Sequence, residues 1–174
     1  MSNRVGSVNA GRRPLAPGKM CLSTESRTVN IDLLLQRVQF CRTALTGASN
    51  ELKRDPEFIL KVMSLNGSAL KLVNPEFKED KKVVLAAVRQ NGNALCHAHE
   101  NLKKDKDVVL AAVTQNFGAL RHANGGLKKD KDVVLAAVRQ NRNALCYAHE
   151  DLKKDKDFLL ALESIVNPLN TSGT

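Results

Sequence analysis

The sequence predicts an all-α fold, a solenoid of stacked 25-residue αα-hairpin repeats with degenerate repeats capping its ends. Three observations carry that prediction. Related words begin at Leu52, Phe77, Leu102, Leu127 and Leu152, each 25 residues after the last, and a fixed period of this size marks a stacked repeat protein. The copies share an apolar run such as Val108-Val109-Leu110-Ala111-Ala112-Val113, which is apolar nearly all round a helix and so asks for burial on several sides. With five Phe, one Tyr and no Trp, the core must come from Leu, Val and Ala, which favours small helices approaching closely.

Taken in order, residues 1–26 are rich in Gly, Ser, Pro, Asn and Arg and have no period. They are expected to form a disordered basic tail, either an ordinary solvated terminus or a secretion signal. Residues 27–51 fit the register as a degenerate first repeat. Leu35 falls where Leu60, Leu85, Leu110 and Leu135 fall, and Asn30 stands in place of Asp55, Asp80, Asp105 and Asp130.

Each of those Asp residues is expected to cap a helix, its carboxylate accepting from the free amides of the first turn. Pro56 follows Asp55 and suits the first helical position. Leu110 and its equivalents are expected to wedge between neighbouring repeats. Asn66, Asn91, Asn116 and Asn141 mark the end of the first helix, where Asn can adopt the left-handed conformation or cap the next helix. A shorter second helix is expected through Ala119-Leu120 to Ala123, then a connector of about five residues. The repeat-bearing region is thus 27–166, closed by a partial repeat from Leu152 whose helix runs to about Val166, with 167–174 loose.

The net charge is +9, which raises nucleic acid or acidic lipid as partners. The excess is diluted, however: +3 in residues 1–26, then +1 or +2 in each 25-residue block from Arg27 to Asp151. A lysine ladder, Lys53, Lys78, Lys103, Lys128 and Lys153, joined by Lys104, Lys129 and Lys154, lies beside the Asp ladder. Asp and Lys alternate there, so much of the field cancels, and a solvated ridge is expected. The longest apolar run is far shorter than a membrane span. Four cysteines without a CxxC pair point to reduced thiols in a cytoplasm-like compartment, or to a host cytosol if the tail directs secretion.

Cys96-His97-Ala98-His99 and Cys146-Tyr147-Ala148-His149 place Cys and His three residues apart on one helix face. A structural zinc site needs four ligands, and each cluster offers two, so no metal and no cofactor are expected. There is no Gly-rich phosphate loop, no HExxH and no nucleophile-base pairing, and the chain is expected not to be an enzyme. Repeat arrays bind through positions that vary between otherwise similar repeats. Those positions are Arg89 and Arg139 in one column, with Thr114 between them, and His97, His122 and Tyr147 in another.

The wording Asp-Lys-Asp-Val-Val-Leu-Ala-Ala-Val-x-Gln-Asn-Gly-x-Ala-Leu, then Ala, then Leu-Lys-x-Asp, resembles a family catalogued as domain of unknown function 4116. The resemblance spans residues 52–160 well and 27–51 weakly. It implies tandem short helical repeats, reported in bacteria (intracellular ones included), protists and algae, and it transfers no catalytic or binding residue. The expected function is a non-enzymatic scaffold for protein–protein interaction, with an unidentified protein partner and a possible effector role. Electrostatic binding of nucleic acid or acidic membrane through the lysine ladder is the alternative.

Overall fold

A computed structural model describes residues 24–166. The disordered or signal-bearing tail expected up to residue 23 and the loose tail expected over 167–174 lie outside the described residues. Every regular element among the described residues is helical. The α-helices are α1 (Thr24–Phe40), α2 (Pro56–Leu65), α3 (Pro75–Glu79), α4 (Lys81–Gln90), α5 (Lys106–Gln115), α6 (Lys131–Gln140), α7 (Glu150–Lys153) and α8 (Lys156–Val166). Between them run six-residue 3₁₀ segments, Arg42–Gly47, Gly67–Leu72, Gly92–His97, Phe117–His122 and Arg142–Tyr147. Successive units pack on one another: α2 on α4, α4 on α5 and α5 on α6.

The helix starts follow the capping logic. Asp55 accepts from Glu57 N at 3.0 Å, Asp80 from Lys82 N at 2.7 Å, and Asp105 and Asp130 from Asp107 N and Asp132 N at 3.0 Å. Asn30 departs from this. It lies inside α1, which begins at Thr24 within the stretch expected to be tail. With no cap to stop it, the first helix runs 17 residues rather than ten.

The second half of each unit also differs from a simple hairpin. The expected second helix is a 3₁₀ segment that stops one residue before Ala98, Ala123 and Ala148. The expected connector contains another helical turn: Leu52–Arg54, α3, Leu102–Lys104, Leu127–Lys129 and α7. These pieces are too short to stand alone, and the burial of Ala94, Leu95 and Leu102 beside the long helices supplies what local bonding does not.

The wedge leucines are corrected. Leu60, Leu85, Leu110 and Leu135 are half-buried and only Leu35 of the first unit is buried, whereas Val108, Val109, Ala112 and Val113 and their equivalents in the inner units are closed off completely or nearly so. At about 100° per residue, Leu110 lies roughly 60° beyond Val113 around the helix, past the edge of the buried arc.

The two ends of the array reveal which way each buried stripe points. The position of Val83, Val108 and Val133 is buried everywhere except in the first unit, where Leu33 is 54% exposed. It therefore faces the preceding unit. The position of Val84, Val109 and Val134 is fully buried inside the array but 43% exposed at Leu159 in the last unit, so it faces the following one. The places four residues on agree: Arg37 is exposed at the first end and Glu163 at the last, where the inner units carry buried Ala87, Ala112 and Ala137 or Val88, Val113 and Val138. Each long helix thus carries two adjacent apolar stripes, one for each neighbour.

Candidate functional site

The candidate column sits at the ends of the 3₁₀ segments, and these are held by the asparagines. Asn66, Asn91, Asn116 and Asn141 all have extended backbones, with φ from −146° to −155°. No residue among those described has positive φ, which removes the left-handed reading. The capping reading holds instead. Each Asn Oδ1 accepts from the amide two residues on, at 3.1, 3.1, 2.8 and 2.9 Å in chain order. The free amide ends reach across units, Asn66 Nδ2 donating to Val38 O at 2.9 Å and Asn91 Nδ2 to Ser68 Oγ at 2.7 Å.

After three of these segments the chain is pinned back to the start of its own unit. The backbone N–H groups of His99, Asn124 and His149 donate to the carbonyls of Lys78, Lys103 and Lys128, each at 3.0 Å. The segment ends are thereby set beside the lysine ladder. His97, His122 and Tyr147 are the last residues of their segments and are half-buried. Burial lowers the His97 pKa, and Lys71, Lys78, Arg42 and Lys103 add to the effect. Burial likewise lowers that of His122, with Arg121, Lys103, Lys128 and His97 contributing. Arg121 Nε donates to His122 Nε2 at 2.9 Å, which requires the neutral ring with that nitrogen unprotonated. The result is two imidazoles, and Tyr147 in the same place of the next unit, beside a border of cations that disfavours the charged imidazole form.

Arg89 and Arg139 are placed elsewhere. They lie exposed in the last turns of α4 and α6, and among the described residues they share no ion pair or hydrogen bond with the His97 row. Thr114, their counterpart in α5, turns its hydroxyl onto Leu110 O at 2.9 Å and Ala111 O at 3.0 Å. The structure brings His97 and His122 within electrostatic reach of each other and leaves the two arginines apart.

The lysine ladder is not a row of idle charges. Lys53, Lys78 and Lys128 donate to Thr46 O, Lys71 O and Arg121 O, at 2.8, 3.2 and 2.8 Å, closing the carbonyl ends of the 3₁₀ segments of the units just before them. Lys103 and Lys153 pair with Glu100 and Glu150 at 2.8 and 2.7 Å.

A second lysine column escaped sequence reasoning. Lys81 lies 2.8 Å from both Asp105 and Asp107 of the next unit. Lys106 repeats this with Asp130 and Asp132 at 2.9 and 2.7 Å, and Lys131 with Asp155 at 3.0 Å and Asp157 at 3.7 Å. The Lys81 hydrogen bond holds Asp105 below the usual carboxylate range. Burial pushes Asp130 up, but the Lys106 bond and the Val133 and Asp132 amides outweigh it and leave it lowered. The signal was present in the wording Asp-Lys-Asp repeated at 25-residue spacing. It becomes an inter-unit clamp only when neighbouring units are superposed one repeat apart.

The Cys-His clusters have a structural use. His99 Nδ1 accepts from Asn101 N at 3.4 Å and His149 Nδ1 from Asp151 N at 3.2 Å, as Asn124 Oδ1 does from Gly126 N at 3.0 Å. One column of side-chain acceptors therefore opens the third helical turn of these units, and imidazole serves there as well as an amide. Cys96 and Cys146 are free thiols. Among the described residues no group of three or more His, Cys, Asp or Glu is placed to hold a metal ion, and no helix is long and apolar enough to cross a membrane.

A family model described as a domain of unknown function (DUF4116) matches residues 30–78, 80–128, 118–153 and 130–162. No curated protein and no solved structure matches the chain.

Proposed function

The chain belongs to the DUF4116 family, and we propose that it is a non-enzymatic helical solenoid that binds an acidic segment of a partner protein along the His97–His122–Tyr147 row. The observation that supports this is the half-buried row itself, one ring in each of three successive units, bordered by Lys71, Lys78, Arg121 and Lys128. Flat rings at regular spacing offer apolar contact and stacking, while the surrounding cations select negative charge and speed its encounter. A row of this kind reads an extended segment by position. The free thiols Cys41, Cys96 and Cys146 suit a reducing compartment, whether the cytoplasm or a host cytosol reached by secretion.

Nucleic acid or an acidic lipid surface is the competing occupant. The pairing of Lys103 and Lys153 with glutamates weighs against it, since each such pair cancels a charge that a phosphate chain would use.

The test is a binding screen of the full chain against arrayed acidic and neutral peptides, with single-stranded RNA and phosphatidylserine vesicles as further arms. Acidic peptides should bind, and binding should tighten as pH falls and His97 and His122 gain charge. His97→Ala with His122→Ala should weaken it about tenfold, the loss of one or two good contacts. Binding of RNA or vesicles alone, or peptide binding indifferent to these substitutions, would sink the proposal.

A further inference from the structure

The ends of the array present unused halves of the unit-to-unit interface, and we propose that they join: the last unit of one copy docks on the first unit of a second copy, head to tail. The argument starts from the register. Inside the array the stripe facing forward meets the backward-facing stripe of the next unit, and Lys81, Lys106 and Lys131 at the starts of α4, α5 and α6 clamp the Asp pair beyond them.

At the last described unit the forward half is exposed. Leu159 occupies the place of the fully buried Val84, Val109 and Val134, yet is 43% exposed, with Leu160 beside it at 65%. Lys156 stands where Lys81, Lys106 and Lys131 stand, but no further Asp pair follows it among the described residues, and its side chain is exposed. Glu163 replaces the buried valine at the end of the stripe.

At the first unit the backward half is open. Leu33, Arg37 and Ala44 border a cleft of about 840 Å³ that α1 forms with the first 3₁₀ segment and the start of the second unit, and Ala44 is half-buried where Ala69, Ala94, Ala119 and Ala144 are closed off. The substitutions at the two ends match in sign. Asp32 holds the register place of Asp107 and Asp132, the acceptors of Lys81 and Lys106, and would meet Lys156. Arg37 holds the place of Ala87, Ala112 and Ala137 on the backward stripe and would meet Glu163. Leu33 would meet Leu159. Two opposite-charge pairs flanking an apolar pair, in the register by which each inner unit meets the next, favour this pairing of ends. A head-to-tail contact of this kind is heterologous and does not close after two copies unless the array curves back.

The experiment is sedimentation equilibrium on the full chain from about 1 μM to about 1 mM, the range where a weak interface shows. Mass should rise with concentration beyond a dimer. Leu33→Asp and Leu159→Asp alter exposed side chains, so both should keep wild-type helicity and melting, and each alone should be monomeric. Mixed together they should form a heterodimer and nothing larger, since one retains a working last unit and the other a working first unit. Lys156→Asp should weaken assembly, and a copy carrying Asp32→Lys should restore it. A wild-type chain that stays monomeric throughout overturns the proposal. A closed dimer that either single variant leaves intact overturns it equally.

Discussion

Units 77–101 and 127–151 agree at 19 of 25 positions, and the fold treats them alike inside and differently outside. Asp80 and Asp130 cap their long helices, and Asn91 and Asn141 cap their 3₁₀ segments, with nearly the same lengths. Leu95 is fully buried, however, while Leu145, the same residue in the same wording, is only half-buried. This leucine faces forward. Leu95 is covered by a complete unit, and Leu145 by the last one, in which α8 is followed by no 3₁₀ segment among the described residues.

A second difference lies at the residue after the asparagine. A Cβ on Gly92 would stand 2.3 Å from Ala112 O, and one on Gly67 would stand 2.1 Å from Ala87 O. Glycine lets the next long helix approach until Gln90 Oε1 accepts from Gly67 N at 2.8 Å and Gln115 Oε1 accepts from Gly92 N. Where Phe117 replaces that glycine, Gln140 turns its amide instead onto Thr114 O. Local wording builds the unit, and the neighbour decides how deeply it is buried.

The sharpest way to break this comparison is to delete the twin leucines. Leu95→Ala should cost about 2–5 kcal/mol and Leu145→Ala roughly half as much, because part of the latter's surface is already wet. Equal losses in urea unfolding would show that the end units are packed like the middle ones. Exchanging the residue after the asparagine comes next. Gly92→Arg should destabilise by about 1–3 kcal/mol through overpacking. A neutral Gly92→Arg would show that the close approach to Ala112 is not needed.

Smaller effects sharpen the charge comparison. Asp105→Ala should cost about 1 kcal/mol through its cap. It should cost more than Asp80→Ala at low salt, since Pro56 stands where a lysine would clamp Asp80; added salt should shrink the gap.

The smallest signature is in pH. Asp105 and Asp130 are held below the ordinary carboxylate range. Their contribution is therefore present above the unfolded pKa, about 4, and is lost as pH falls through the lower folded values. Lys106→Gln should flatten that acid loss, and an unchanged pH profile would mean the clamp is fully screened. His97 and His122, also lowered, act earlier: their contribution is present above the unfolded pKa near 6.5 and fades as pH falls through their folded values.

Much of the unit was legible before any coordinates. The capping aspartates, Pro56 at a helix start and the asparagine junctions follow from local bonding, which a single repeat already contains. Asn30 misled because a cap-competent residue does not force a helix to begin when the preceding residues can be helical too. Leu110 misled because an apolar run has no visible orientation, and its buried arc is chosen by neighbours on two sides. His99 and His149 suggested a metal by residue type, while geometry gave them the work that Asn124 does. The lysine ladder and the His97 row could be identified as columns, but their mutual placement depends on how one unit lies against the next.

By itself the sequence determined the period, the helix starts, the segment junctions and the all-helical class, because each depends on hydrogen bonds closed within a few residues. Only the tertiary structure decided which stripe faces forward, that Lys81, Lys106 and Lys131 clamp the following unit, and that glycine at 67 and 92 is a matter of clearance rather than backbone conformation. Those properties belong to contacts between residues about one repeat apart, and such contacts exist only once the units are packed.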